Sequence, residues 1–321
     1  MHAKQAANPA AELTGRGTGP TRNSGKGNPA LAEASLLLAV FFVGTDVVSV
    51  KYALEGFPPL VLMPIRYVVA GLLLLAAIGL LGRKGTVALG DLPALAGLGL
   101  VGVALNQVGY TAGLSLTSGS NASLVFATAP VWGLLLGVLM GLERGSWAGA
   151  LGLGLAIAGV AMVVGGGLGS EEASLGGDLL VCVSAFSWGA YAVLSLPVLR
   201  RLDPLVVGAW TMLLGGLAAL PLVVTGFPRL SEPISSVEWG SVGAASWAAV
   251  AYSTVLCSSF AIAAWQVNVA RLGANKVLVY LYLVTLVGLL SSIVLLGEGL
   301  GAAKVAGAAA IMLGVYLARR A

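Results

Sequence analysis

The segment SNASLVFATAPVWGLLLGVLMGLERGSWAGALGLGLAIAGV, residues 120–160, decides how the chain reads. An apolar run over 121–141 meets a charged turn containing Glu143 and Arg144, and a second apolar run continues from 146 to 165. Each run has the length of about 20 residues that an α-helix needs to cross a hydrocarbon layer roughly 30 Å thick. The spacing predicts a helical hairpin in a membrane. Asn121 is expected as the N-cap of the first helix, which makes NAS at 121–123 a helix start and not a glycosylation acceptor. Gly133, Gly137 and Gly141, spaced by four, permit close backbone approach on one face, as packing or as a sliding surface. Pro130 removes a backbone hydrogen bond and is expected to kink the same helix, with a hinge as one reading.

The pattern repeats in both directions. Of the 321 residues, 58% are hydrophobic and 9% charged, against about 45 to 50% and about a quarter in soluble proteins. Spans are expected at 31–53, 59–81, 92–116, 121–141, 146–165, 176–198, 204–226, 241–269, 274–296 and 300–318. The expected fold is an all-α polytopic membrane protein with ten transmembrane helices. Residues 1–29, rich in Gly, Pro, Asn and Lys, read as a disordered cytoplasmic tail, and the first apolar run is long enough to span instead of being cleaved as a signal peptide. GLGLVG at 97–102 spells a dinucleotide fingerprint, but it lies inside a span with no β-α-β unit around it and is read as helix.

Several function classes are excluded by composition. The net charge of +4 is not gathered into a basic face on a soluble module, so nucleic acid is not an expected partner. The single histidine, His2, lies in the tail, which removes a His-based metal site, and no cofactor is expected. Cys182 and Cys257 fall within apolar runs and are expected as packed thiols. No G-x-S-x-G, H-E-x-x-H or paired intramembrane aspartate supports an intramembrane enzyme, the distant alternative. The basic residues set topology instead. Thirteen Lys/Arg fall on the side of the two termini, against Lys51, Arg229 and Lys304 on the other, with Arg66 inside a span. Both termini are therefore expected in the cytoplasm, in an inner (plasma) membrane protein. Asp178 is counted among the acidic loop residues of the opposite face.

The chain also resembles itself. At an offset of 145, Phe41, Gly44, Pro59 and Gly71 meet Phe186, Gly189, Pro204 and Gly216. At 154, Gly119, Asn121 and Leu124 meet Gly273, Asn275 and Leu278, and one residue later in register Glu143, Gly152 and Gly159 meet Glu298, Gly307 and Gly314. Two five-helix halves, 30–165 and 175–318, must insert with opposite orientation because five is odd. Inverted repeats of this kind build alternating-access transporters.

Residues 120–160, with a small-residue start, mid-helix Pro130, a turn around Glu143 and a Gly-rich closing helix, together with KYALEGFPPLVLMPIRY at 51–67, resemble the EamA-type members of the drug/metabolite transporter superfamily. The resemblance implies a ten-helix inverted-repeat exporter of small metabolites, most closely the amino-acid branch. Two departures stand out: Val284 occupies the repeat position of Pro130, so the halves should hinge unequally, and Asp46 is not part of the general pattern.

Asp46 and Arg66 are charges inside apolar spans, where each costs a few kcal/mol, on the order of 3, unless partnered. Asp46 lies roughly 22 Å along the first helix from its cytoplasmic end, and Arg66 roughly 10 Å down the second from the outer side. Their depths match, so an ion pair is expected, with Lys51 snorkelling to the outer interface. The pair is a structural clamp or a gating or proton-coupling element, and Asp46 reads as the only acidic group deep in a span. For substrate binding, polar and aromatic side chains fall on the helices that line the cavity in the resembled superfamily: Asn106, Gln107, Tyr110, Trp132, Trp188, Tyr191, Trp265, Gln266, Asn268, Tyr280 and Tyr282. They offer ring faces and hydrogen bonds to an amphipathic small molecule. The expected function is export of small metabolites, amino acids including aromatic ones first, with drugs or other metabolites as the alternative.

Overall fold

A computed structural model describes residues 29–142, 145–167, 174–227, 230–272 and 280–319. The expected tail over 1–28, the Glu143–Arg144 turn and the expected start of the ninth span at 274 lie outside these residues. The helices are α1 (Pro29–Leu54), α2 (Pro59–Leu80), α3 (Leu89–Leu116), α4 (Gly119–Leu139) and α5 (Trp147–Gly167), followed by α6 (Leu175–Leu199) and α7 (Pro204–Thr225). Next comes α8, built from Ala244–Tyr252, Ser253–Phe260 and Ala261–Leu272, then α9 (Tyr280–Leu296) and α10 (Ala302–Arg319). Among the described residues, eight helices are long and apolar enough to cross a membrane, and the shorter apolar helices Leu283–Leu296 and Ala302–Ala318 complete the ten. The end of the bundle that carries the α1–α2 turn is called the upper end below.

Lipid inverts the usual surface rule. Leu72, Leu73, Leu151, Ile157, Leu286 and Leu290 are exposed, while Asn106, Thr111, Ser184, Ser187, Ser253, Thr254, Ser258 and Ser292 are buried. Apolar side chains cost nothing against hydrocarbon, whereas a hydroxyl or amide must find its partner between helices.

Glycines set the helix contacts, and their pattern shows the inversion. A Cβ on Gly152 would come within 2.5 Å of the Gly314 carbonyl oxygen, and one on Gly159 within 2.7 Å of the Gly307 carbonyl oxygen. Residue numbers rise along α5 as they fall along α10, so the pair is antiparallel, and because Gly152 matches Gly307 and Gly159 matches Gly314, each contact is the other's symmetry mate. The α2–α7 contact behaves the same way: Gly71 packs on Leu213 and its repeat partner Gly216 packs on Val68. A third relation joins Gly44 on α1 with Val287 on α9 to Gly189 on α6 with Gly133 on α4. Two inverted five-helix repeats are joined about a pseudo-two-fold axis.

Three local features refine or correct the sequence expectations. First, α4 consists of Gly119–Phe126 and Ala129–Leu139, broken at Ala127–Thr128, with Pro130 near the start of the second segment. In contrast α9, with Val284 at the matching position, is continuous over Tyr280–Leu296. Second, Ser118 caps α4, accepting from the Asn121 amide at 3.2 Å, which frees the Asn121 side chain to reach Asp178. Third, Gly141 faces open space at φ +70 and serves chain reversal after α4, not helix packing.

Both α3 and α8 also carry a π-helical segment, Leu100–Leu105 and Ser253–Phe260, at corresponding places in the two halves. The wider i→i+5 turn inserts an extra residue and turns different side chains toward the neighbouring helix. In α3 the segment packs on α6, and in α8 on α1.

Candidate functional site

The polar centre is built where α1, α2 and the π segment of α8 meet. Arg66 Nη2 donates to Asp46 Oδ2 at 2.7 Å, with the Arg66 side chain 1% exposed and the Asp46 side chain 17%. The other Asp46 oxygen accepts from the Ser253 hydroxyl. Beside them the Tyr67 ring centroid lies 5.5 Å from the Arg66 guanidinium carbon. Cys257 donates to the Phe42 carbonyl at 3.1 Å, and Thr45 and Tyr252 share a 2.6 Å hydroxyl contact. Arg66 Nε and Nη1, although buried, have no hydrogen-bond partner among the described residues.

The repeat places a neutral counterpart in the other half. Shifting Asp46 and Arg66 by 145 residues gives Tyr191 and Thr211, whose hydroxyls lie 3.4 Å apart. Tyr191 packs on Gly102 within the π segment of α3, as Asp46 packs on Ser253 within that of α8. Matching repeat positions thus hold an ion pair in one half and a phenol–hydroxyl pair in the other.

The remaining expected residues fall into separate groups. Asn106 Nδ2 donates to the Ser184 carbonyl and hydroxyl at 2.8 and 3.0 Å, and Gln107 Nε2 donates to Asn106 Oδ1 at 2.7 Å. Tyr110 meets Phe126 edge-on at 5.5 Å, and Trp132 meets Phe186 at 5.9 Å while its indole N–H donates to Thr128. Trp188 lies 5.5 Å from Tyr191. Asn268 donates to Ser35 and to the Ala264 carbonyl. Trp265 and Tyr280 are half-buried, and the side chains of Gln266 and Tyr282 lie outside the described set. Cys182 and Cys257 are free thiols.

A second polar cluster, at the upper end, was not anticipated. Lys51, expected to snorkel to the outer interface, donates its ammonium to the Thr117 carbonyl of the α3–α4 turn at 2.6 Å. The Thr117 hydroxyl and the Asn121 amide donate to Asp178, which is buried and not a loop residue. Glu298 accepts from the amides of Gly119 and Ser120 at 2.6 and 2.8 Å, satisfying the free N–H groups that open α4. Lys304 donates to Ser118 and Ser120. Asp178, in the first turn of α6, and Glu298, just after α9, are buried acids at the ends of spans, both contributed by the second repeat to the first repeat's α3–α4 turn. The sequence signal was present in the Glu143/Glu298 repeat match, but which backbone amides a carboxylate reaches is a tertiary fact. An open crevice of about 450 Å³ at the same end, lined by Glu55, Glu238 and Ser246 among others, touches none of the expected site residues.

A model of the EamA-like transporter family matches residues 30–165 and, a second time, residues 175–320. The chain belongs to that family. An EamA chain is a membrane transporter and not an enzyme, which agrees with the ten helices and makes a small molecule its substrate. Among its relatives, a "Probable terminal-alkyne amino-acid exporter" of Streptantibioticus cattleyicolor is 30% identical over 287 residues, 89% of this chain and 92% of that one. A "Probable amino-acid metabolite efflux pump" of Salmonella typhimurium is 26% identical, covering 88% and 92%. A solved crystal structure shares the fold of this EamA chain at a TM-score of 0.61 and 20% identity, covering 91% of this chain and all but 1% of that one.

Proposed function

We propose that this EamA chain exports small zwitterionic metabolites, amino acids including aromatic ones first, by alternating access between halves spanning 30–165 and 175–318. One observation carries this reading: a hydrogen-bonded Asp46–Arg66 pair, its guanidinium buried, at the contact of α1, α2 and α8. Intramembrane charge is retained where it serves a transported species or a coupled ion. The printed functions of two relatives, amino-acid and amino-acid metabolite export, support the substrate class.

In this reading the protein lies in the inner membrane with both termini cytoplasmic, so the upper end faces outward. The Asp178 and Glu298 cluster then closes the outer side, and the broken α4 at Pro130 moves when it opens. Asn106, Gln107, Tyr110, Trp132, Trp188, Tyr191, Trp265, Gln266, Tyr280 and Tyr282 supply the substrate's polar contacts and ring faces, while Asp46, Arg66 and Pro130 gate or couple the cycle. The ring contacts Trp132–Phe186 and Trp188–Tyr191 favour, as the second reading, an apolar drug or other metabolite.

Counterflow of labelled solutes into preloaded proteoliposomes separates the two. Accumulation of labelled phenylalanine, leucine, alanine or threonine is the expected result. Accumulation of a lipophilic cation such as tetraphenylphosphonium, with none of the amino acids, would replace the first reading by the second.

A further inference from the structure

Two donors on a fully buried guanidinium lack partners. Arg66 is 1% exposed, gives Nη2 to Asp46, and leaves Nε and Nη1 unbonded among the described residues. An unpaired buried donor costs about 1 to 3 kcal/mol, more when charged, so such a group persists where another state of the protein supplies its acceptor. The Tyr67 ring beside it offers a π face at 5.5 Å but no oxygen along the free N–H bonds. Asp46 is the complementary half: each of its oxygens accepts one bond, from Arg66 and from Ser253, and a carboxylate has lone pairs for about four.

The centre is therefore a neutral dipole with spare donors on its cationic end and spare acceptors on its anionic end. Resting on the amino-acid reading of the same site, we infer that Arg66 and Asp46 together are the recognition element for the α-carboxylate and α-ammonium of a zwitterion. The carboxylate takes the free Arg66 donors. The ammonium donates to Asp46. The match is between like geometries, since the two charges of an α-amino acid are separated by one carbon atom and the two charges of the pair by one hydrogen bond of 2.7 Å. Binding a zwitterion here adds no net charge to the membrane interior, whereas a simple amine or a simple acid would leave one uncompensated charge in it. The symmetry-related Tyr191–Thr211 pair has a phenol and a hydroxyl in place of the two charges and cannot make this exchange. Recognition of the charged end is therefore confined to the first repeat's pair.

The inference is tested by competition in the counterflow assay, using labelled phenylalanine against unlabelled phenylalanine, phenylalaninamide, phenethylamine and 3-phenylpropionate, with leucine and its corresponding analogues as a second series. In the wild-type protein each analogue that lacks one charge is expected to compete at least about 10-fold more weakly than the amino acid, because a buried site built to bond a group rejects the molecule without it. In Arg66→Gln the preference for acid over amide is expected to vanish, and in Asp46→Asn the preference for the amino acid over 3-phenylpropionate. The double variant, which leaves no lone charge, serves if either single variant fails to fold, and should lose both preferences. Equal competition by acid and amide in the wild type, or a preference surviving in a folded variant, would overturn this inference and leave amino-acid transport standing. Absence of counterflow for every amino acid would overturn both.

Discussion

At the scale of single residues, the matched depths of Asp46 and Arg66 were legible because helix rise alone converts sequence position into depth, and two charges at one depth in apolar helices have few places to go. Ser253 was not legible. It is one of several small hydroxyl residues in α8, and only the π turn decides which of them faces Asp46. Removing one member of the pair strands the other's charge in a dry site, a loss of about 3 to 5 kcal/mol for a buried pair. Asp46→Asn and Arg66→Ala are each expected to lower the melting temperature in detergent, and Asp46→Asn/Arg66→Ala to recover most of the loss. A double variant whose destabilisation equals the sum of the singles would show that the two side chains are energetically independent. A further outcome bears on coupling: an Asp46→Asn protein that melts normally, still performs counterflow and no longer responds to an imposed pH gradient would assign Asp46 a proton-carrying role.

At the scale of elements, helix positions were legible to within a few residues, since a span of about 20 apolar residues leaves little freedom. Three element features were not. The break in α4 precedes Pro130 by two residues because proline has no N–H to give the Phe126 carbonyl and its ring crowds that carbonyl, and the Thr128 hydroxyl bonds back to the Val125 carbonyl. The two π segments have no composition of their own, and only the repeat relation between them would have exposed their common place. The capping of α4 by Glu298 depends on which turn the second repeat brings to the first. Glycine spacing, by contrast, reads two ways at every site until the neighbour is known: Gly152 faces a carbonyl oxygen that an added Cβ would approach to 2.5 Å, while Gly154, two residues on, faces nothing within 4 Å. Gly152→Val is therefore expected to drive α5 and α10 apart and to reduce folded protein recovered by size-exclusion chromatography, whereas Gly154→Val should be recovered at wild-type levels. Equal recovery of the two would mean that this helix contact does not hold the repeats together.

At the scale of the whole molecule, the inversion was legible from an odd number of helices per repeat and from the alternation of loop charge, and the antiparallel glycine contacts of α5 with α10 and of α2 with α7 express it in packing. What the repeat could not disclose is its chemical asymmetry. Asp46–Arg66 and Tyr191–Thr211 occupy matching repeat positions, but sequence matching on glycine and proline passes over positions where the two halves differ chemically. A charged half and a neutral half around one axis suit a substrate with a zwitterionic end and an apolar end, and the closed cluster at the upper end suits a carrier that opens to one side at a time. The central claim is that the protein moves amino acids outward. It is tested most directly by loading cells with labelled phenylalanine, leucine, alanine or threonine and measuring efflux with the protein expressed, with Arg66→Gln expressed, and with empty vector. Faster efflux of at least one of these with the wild-type protein, slowed but not abolished with a stably inserted Arg66→Gln protein, is the predicted result; efflux of all four at the vector rate from cells holding inserted wild-type protein would contradict it.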